Sequence, residues 1–128
     1  MRIGLIVVLM FFAVKAVSEE DYWDLYNKCM DNLGAPNNGN VGYCTSIINE
    51  MTAKRIDFLI AKFKPTLDEI HLNKLSTSQE AWQIYKDNQC DLQGIYIGSP
   101  MFSYCRMTMS IERILRSVSY THLRAHET

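Results

Sequence analysis

Residues 82–105 read WQIYKDNQCDLQGIYIGSPMFSYC, and residues 23–44 read WDLYNKCMDNLGAPNNGNVGYC. The two stretches share a plan. Each opens on an aromatic pair at helical spacing, Trp82 with Tyr85 and Trp23 with Tyr26, which puts both rings on one helix face. A cysteine follows, then a stretch holding Gly34, Gly39 and Gly42 in one copy and Gly94 and Gly98 in the other. Each copy ends with a Tyr directly before a second cysteine, at Tyr43–Cys44 and Tyr104–Cys105. This pattern predicts helix–loop–helix used twice.

Cys29 and Cys44 enclose fourteen residues, as do Cys90 and Cys105. An even cysteine number in an exported chain reads as disulfides. Four cysteines allow three connectivities. The pairing Cys29–Cys44 with Cys90–Cys105 is expected, because each bond then staples the end of one helix to the start of the next across a flexible loop. Closing a loop of this size contributes about 3 kcal/mol in the chain-entropy model, a large part of a domain's total of about 5–15 kcal/mol. A redox-active dithiol would show Cys-x-x-Cys spacing, which the sequence lacks.

Apolar periodicity fills in the rest. Ser18 is placed to cap a first helix whose opening Glu19, Glu20 and Asp21 suit its positive end. Trp23, Tyr26, Met30 and Leu33 continue that helix, and Gly34 stops it. A second stripe, Ile48, Met51, Ile56, Leu59 and Phe63, predicts a helix from about Thr45 to Phe63, closed by Pro65. Thr66 with Glu69 forms a capping box for a third helix through Leu67, Ile70, Leu75, Ser78, Trp82 and Tyr85 towards Cys90. Ser76 with Gln79 makes a second box that would break it. The continuous form is preferred, about 24 residues or 36 Å long. A fourth helix from about Cys105 carries Met107, Ile111, Ile114 and Leu115. The strand signal is confined to Ile95-Tyr96-Ile97, too short for a sheet. The expected fold is all-α, a small bundle of about four helices stapled by two disulfides.

The ends are set apart. Ile3 to Val14 is uncharged for twelve residues after Met1-Arg2, shorter than the roughly 20 apolar residues of a membrane span, and fits a secretory signal peptide. Cleavage after Ser18, with Ala16 at −3, is favoured over cleavage after Ala16, with Val14 at −3. No Cys near the cut supports a lipid anchor. Residues 119–128, SYTHLRAHET, lack an apolar stripe and resemble translated sequencing-adapter read-through; they are expected to be non-native, leaving residues 19–118 as the domain. His122 and His126 would offer a metal two ligands without a third, a weak site.

The chain has 128 residues, 13 Lys+Arg and 14 Asp+Glu, and is 48% hydrophobic. That allows one domain, and the near-neutral balance argues against a nucleic-acid binder. Loss of residues 1–18 removes Arg2 and Lys15, so 11 basic and 14 acidic side chains remain. The expected compartment is periplasmic or secreted, with no stable membrane insertion after cleavage.

From Leu75 to Arg113 the sequence resembles the bacterial lysozyme-inhibitor LprI-like domain, a family of small exported helical proteins. The resemblance rests on an ordered set: Gln79, Trp82, Tyr85-Lys86, Cys90, Gly98-Ser99, Cys105, and Ser110 with Arg113. Lys86 stands where the family usually has Arg, and Ser110 where it has Thr. The family's upstream Leu-Asn-x-x-Tyr is matched only as Ile56-Asp57-x-x-Ile60, and Cys29 to Phe63 only loosely. The resemblance implies an inhibitor that occludes the glycan cleft of lysozyme without chemistry of its own. The acidic chain would be steered towards a cationic lysozyme. The alternative is an envelope structural or interaction module with no lysozyme affinity.

Taken as side chains, Trp82 and Tyr85 are expected to fill the core. Gln79 is placed to bond a neighbouring backbone or to face water. Lys86 and Arg113 are each placed to pair with a carboxylate, such surface pairs contributing about 0–1 kcal/mol. Met101, Met107 and Met109 near Cys105 resemble a soft-metal cluster but read better as gap fillers. Gly94 to Pro100 is the expected functional loop, with Tyr96, Ile97 and Ser99 as partner-binding residues; the competing reading has Ile95 and Ile97 covering the core. His71, near Asp68, Glu69 and Lys74, falls on an expected wet face, whereas acid–base catalysis needs a shielded cleft. No enzyme activity, cofactor or metal is expected.

Overall fold

A computed structural model describes the backbone of residues 19–125 and the side chains of residues 21–117. The expected Ser18 cap, the leader and His126 lie outside the described residues, as do the side chains of the 119–128 tail. The backbone forms α1 (Glu19–Leu33), α2 (Asn38–Phe63), α3 (Glu69–Tyr96) and α4 (Pro100–Ala125), with one 3-10 turn (Lys64–Thr66) between α2 and α3. Among the described residues there is no strand, and no helix is long and apolar enough to cross a membrane. The fold is the expected all-α arrangement with two disulfides, Cys29–Cys44 and Cys90–Cys105.

Local chemistry sets the helix ends, and several differ from expectation. Gly34 takes φ +82° and its N–H donates to Met30 C=O at 3.0 Å, a left-handed stop that only glycine adopts cheaply. The Asn37 side chain accepts from Asn40 N–H at 2.9 Å, while Asn40 Nδ2 donates to Ala35 C=O at 2.7 Å. This cap starts α2 at Asn38, seven residues before the predicted Thr45. Gly39 and Gly42 are therefore helical, and Cys44 sits inside α2 rather than at its start.

Asp68, not the expected Thr66, is the N-cap of α3. Thr66 Oγ1 donates to Phe63 C=O at 2.7 Å within the 3-10 turn around Pro65, and Asp68 caps α3 by accepting from His71 N–H at 2.9 Å. Ser76 to Ser78 does not interrupt α3, which runs for 28 residues, about 42 Å. It passes Cys90 by six residues, and α4 begins at Pro100 rather than Cys105. Proline suits a first helical position, where its missing N–H costs nothing. Both disulfides therefore bridge helix interiors, with Cα–Cα distances of 5.8 and 5.3 Å.

Burial follows the helical period. Met107, Ile111 and Ile114 of α4 face Ile48, Ile56 and Leu59 of α2, and Tyr22 of α1 completes the core. Each such side chain contributes about 1.5–3 kcal/mol when fully buried. The α2–α4 interface is the largest, α3 leans on α4, and α1 spans α2 and α4. Tyr104 closes an aromatic trio with Trp23 and Tyr26, ring centroids 6.0 and 5.9 Å away, whereas its sequence counterpart Tyr43 is exposed. The two copies of the plan thus diverge: α1 packs its rings across the molecule, and α3 stays peripheral. Of the expected stripe residues, Met51, Ile70, Leu33 and Leu115 lie exposed.

Candidate functional site

The turn from α3 to α4 is only three residues long, because both helices extend past their cysteines. Gly98 adopts φ +139° there, a conformation that side chains rarely allow. Tyr96 is 82% exposed, Ile97 69%, Ile95 67% and Leu92 51%. The reading in which Ile95 and Ile97 cover the core is overturned: they point away from it. Leu92, Ile95 and Tyr96 fall at i, i+3 and i+4 on one face of the last α3 turns. The predicted loop is thus a helical tip carrying the apolar surface, with Ser99 exposed in the turn itself.

Three devices hold that tip. The Cys90–Cys105 bond ties the helices below it. Phe102 packs where a side chain on residue 94 would otherwise lie, so Gly94 allows α4 to close against α3. Arg106 of α4 donates to Asp91 Oδ1 at 2.8 Å, to Asp87 Oδ1 at 3.4 Å and to its own Phe102 C=O at 2.9 Å. The hydrogen bond to Asp91, opposed by burial and helped by Asp87, holds the guanidinium above its ordinary pKa.

A second assembly lies lower on α3. Arg113 reaches from α4 to Gln79, with Nη2 at 3.1 Å and Nε at 3.3 Å from Oε1. Its guanidinium lies over the Trp82 ring at 5.4 Å, and Lys86 Nζ lies over the same ring at 4.7 Å. Cation–ring contacts of this kind contribute about 0.5–2 kcal/mol according to their burial. Gln79, Trp82, Lys86 and Arg113 therefore converge into one cluster, with buried Ser110 beside it. Tyr85 does not join the core as expected; it is 59% exposed. Gln79 bonds a side chain rather than a backbone, and the carboxylate ion pairs of this face belong to Arg106 instead of Lys86. Burial pulls the Lys86 ammonium below its ordinary pKa, partly opposed by Asp87.

Because α2 and α3 both lean on α4 and scarcely touch each other, a groove opens between them. Its inner part is a cavity of about 210 Å³ lined by Asn49 and Ile56 of α2, Gln83 and Lys86 of α3, and Arg106 and Ser110 of α4. Asp57, Gln79 and Gln83 also line an adjoining cavity of about 480 Å³.

Comparison with known protein families, curated proteins and solved structures finds no match.

The remaining candidates are placed by their surroundings. Met107 is fully buried, and Met109 Sδ packs 3.7 Å from Cys90 Sγ and 4.0 Å from Cys105 Sγ, both in the disulfide. His71 Nδ1 lies 2.6 Å from Asp68 Oδ1, with both side chains more than half exposed. Among the described residues, no three His, Cys, Asp or Glu side chains are grouped to hold a metal. Sequence reasoning missed Arg106 and the Gly94–Phe102 contact. Asp87 and Asp91 stand at i and i+4 around Cys90, and Arg106 follows the cysteine that Cys90 pairs with. That register was a usable signal for the ion pairs.

Proposed function

We propose that this chain is an exported binding protein of the lysozyme-inhibitor kind, which seats the α3–α4 tip in the glycan cleft of a lysozyme and blocks it without chemistry of its own. The observation that carries this reading is the exposure of Leu92, Ile95, Tyr96 and Ile97 on a turn fixed from three directions. Grouped exposed apolar side chains mark interaction surfaces, and Tyr is favoured among residues that dominate binding. A turn already fixed loses little entropy on docking.

The partner class comes from the resemblance of Leu75 to Arg113 to LprI-like domains. Acidic side chains outnumber basic ones, 14 to 13 over the whole chain, which favours approach to a cationic enzyme. Two disulfides suit an oxidising compartment, and with the apolar leader they support periplasmic or secreted residence.

Lysis of a bacterial cell suspension by lysozyme tests the proposal. Micromolar chain is expected to slow lysis, and Tyr96→Asp with Ile97→Asp to weaken the effect about tenfold or more, as for a central contact residue. Unchanged lysis, with no complex on a sizing column, would overturn the lysozyme assignment and leave the tip for another envelope partner.

A further inference from the structure

We infer that the inner groove between α2 and α3 is a binding site for a small carboxylate, with Lys86 as its ion partner. The groove holds two cations of unequal condition. Arg106 is neutralised by Asp87 and Asp91. Lys86 is half-buried, and among the described residues no carboxylate oxygen lies within ion-pair distance of its ammonium; its close neighbour is the face of Trp82 at 4.7 Å. A cation drawn partly out of water with no carboxylate in contact is costly, and the ring face and the more distant Asp87 charge offset only part of that. The site is therefore poised to take up one negative charge.

Its hydrogen-bonding groups point the same way. Ser110 is 4% exposed and lines the cavity. Gln83, on the α3 wall, is exposed and lines it too. The Asn49 amide is already committed to Ser103, at 3.1 Å from its C=O and 3.2 Å from its Oγ. One ammonium, one hydroxyl and one amide suit the two oxygens of a carboxylate, which accepts at both.

Size and charge narrow the class. A cavity of about 210 Å³ is below the range of about 300–1,000 Å³ typical for drug-sized ligands. Asp57 stands where this cavity meets its neighbour and repels an anion in proportion to its charge, so a monoanion is preferred to a phosphate dianion. Ile56 and Ala53 on the α2 wall suit a short apolar substituent on the carboxyl carbon.

Acetate and inorganic phosphate, titrated separately at constant ionic strength into the full chain, test this by amide and indole chemical shifts. Saturable shifts at the Trp82 indole and around Lys86 and Ser110 are expected with acetate and not with phosphate. Lys86→Gln should weaken acetate binding about tenfold, the scale of one lost charged hydrogen bond, and Ser110→Ala should weaken it by less. Lys62→Gln, on the exposed end of α2, should leave it unchanged, as should Tyr96→Asp at the separate tip. Shifts that never saturate, that survive Lys86→Gln, or that phosphate reproduces at the same residues would overturn the assignment. If Lys86→Gln loses its fold, the Ser110→Ala and phosphate arms still decide.

Discussion

The ring of Phe102 fills the space that a side chain on residue 94 would need. Two effects oppose each other in Gly94→Ala. Alanine favours a helix by about 1 kcal/mol over glycine, whereas overpacking costs about 1–3 kcal/mol. The added methyl would meet the root and flanks of a ring rather than a flexible chain end, so overpacking wins. Urea unfolding of Gly94→Ala should show a net loss of up to about 2 kcal/mol. Combining it with Phe102→Ala should cost less than the two changes added together.

Arg113 and Gln79 should behave as a unit. Each single change, Arg113→Ala or Gln79→Ala, is expected to destabilise by about 1 kcal/mol. The double variant should fall short of the sum by roughly 0.5–1 kcal/mol, the size of a direct polar coupling. Arg113→Lys should not restore it, because an ammonium lacks the planar fork that meets Gln79 while covering Trp82. Additive losses in a denaturation cycle would contradict the contact.

The two disulfides should separate stability from presentation. Replacing Cys29 and Cys44 by Ala, or Cys90 and Cys105 by Ala, is expected to cost about 3 kcal/mol for either loop. Only the second replacement loosens the tip. It should therefore also lower partner affinity and raise amide exchange at residues 95–99, whereas the first should leave both nearly unchanged below the unfolding transition.

Much of this was legible in the sequence, and the gaps have physical causes. Cysteine spacing, the aromatic pairs and the apolar periods gave four helices and both disulfide pairings. The helix ends around the cysteines were misplaced because glycine was read as loop, whereas Asn37 caps α2 early enough to take Gly39 and Gly42 into the helix. Gly94 also lies inside a helix, α3, and the space it leaves is filled by Phe102. Tyr96 and Ile97 were identified as partner-binding residues, but on an ordered loop rather than a helical tip, and Ile97 also had a reading as core cover. Gln79, Trp82, Lys86 and Arg113 were marked one by one. Their convergence depends on how α3 and α4 lie together, which spacing within one helix does not encode. Tyr85 failed for the same reason: periodicity puts it near Trp82, but a peripheral helix has too little core to cover both.

Acid should expose the role of Asp68. Its hydrogen bonds from the backbone and side chain of His71 hold the carboxyl below its usual value of 3.8. A depressed folded-state pKa means that the unfolded chain binds the proton first as pH falls. The contribution is thus complete above about pH 4 and is lost as pH drops through the depressed value. Asp68→Asn keeps a capping side chain but cannot titrate. Its acid unfolding, followed by circular dichroism, should depend less steeply on pH below about 4 than that of the parent chain.

Amide hydrogen exchange with and without lysozyme asks most directly whether the tip is the binding element. The prediction is slowed exchange on adding lysozyme, concentrated between Leu92 and Ser99 and absent from α1. Protection spread over α1 and α2 with the tip unaffected, or no protection at saturating lysozyme, would contradict it.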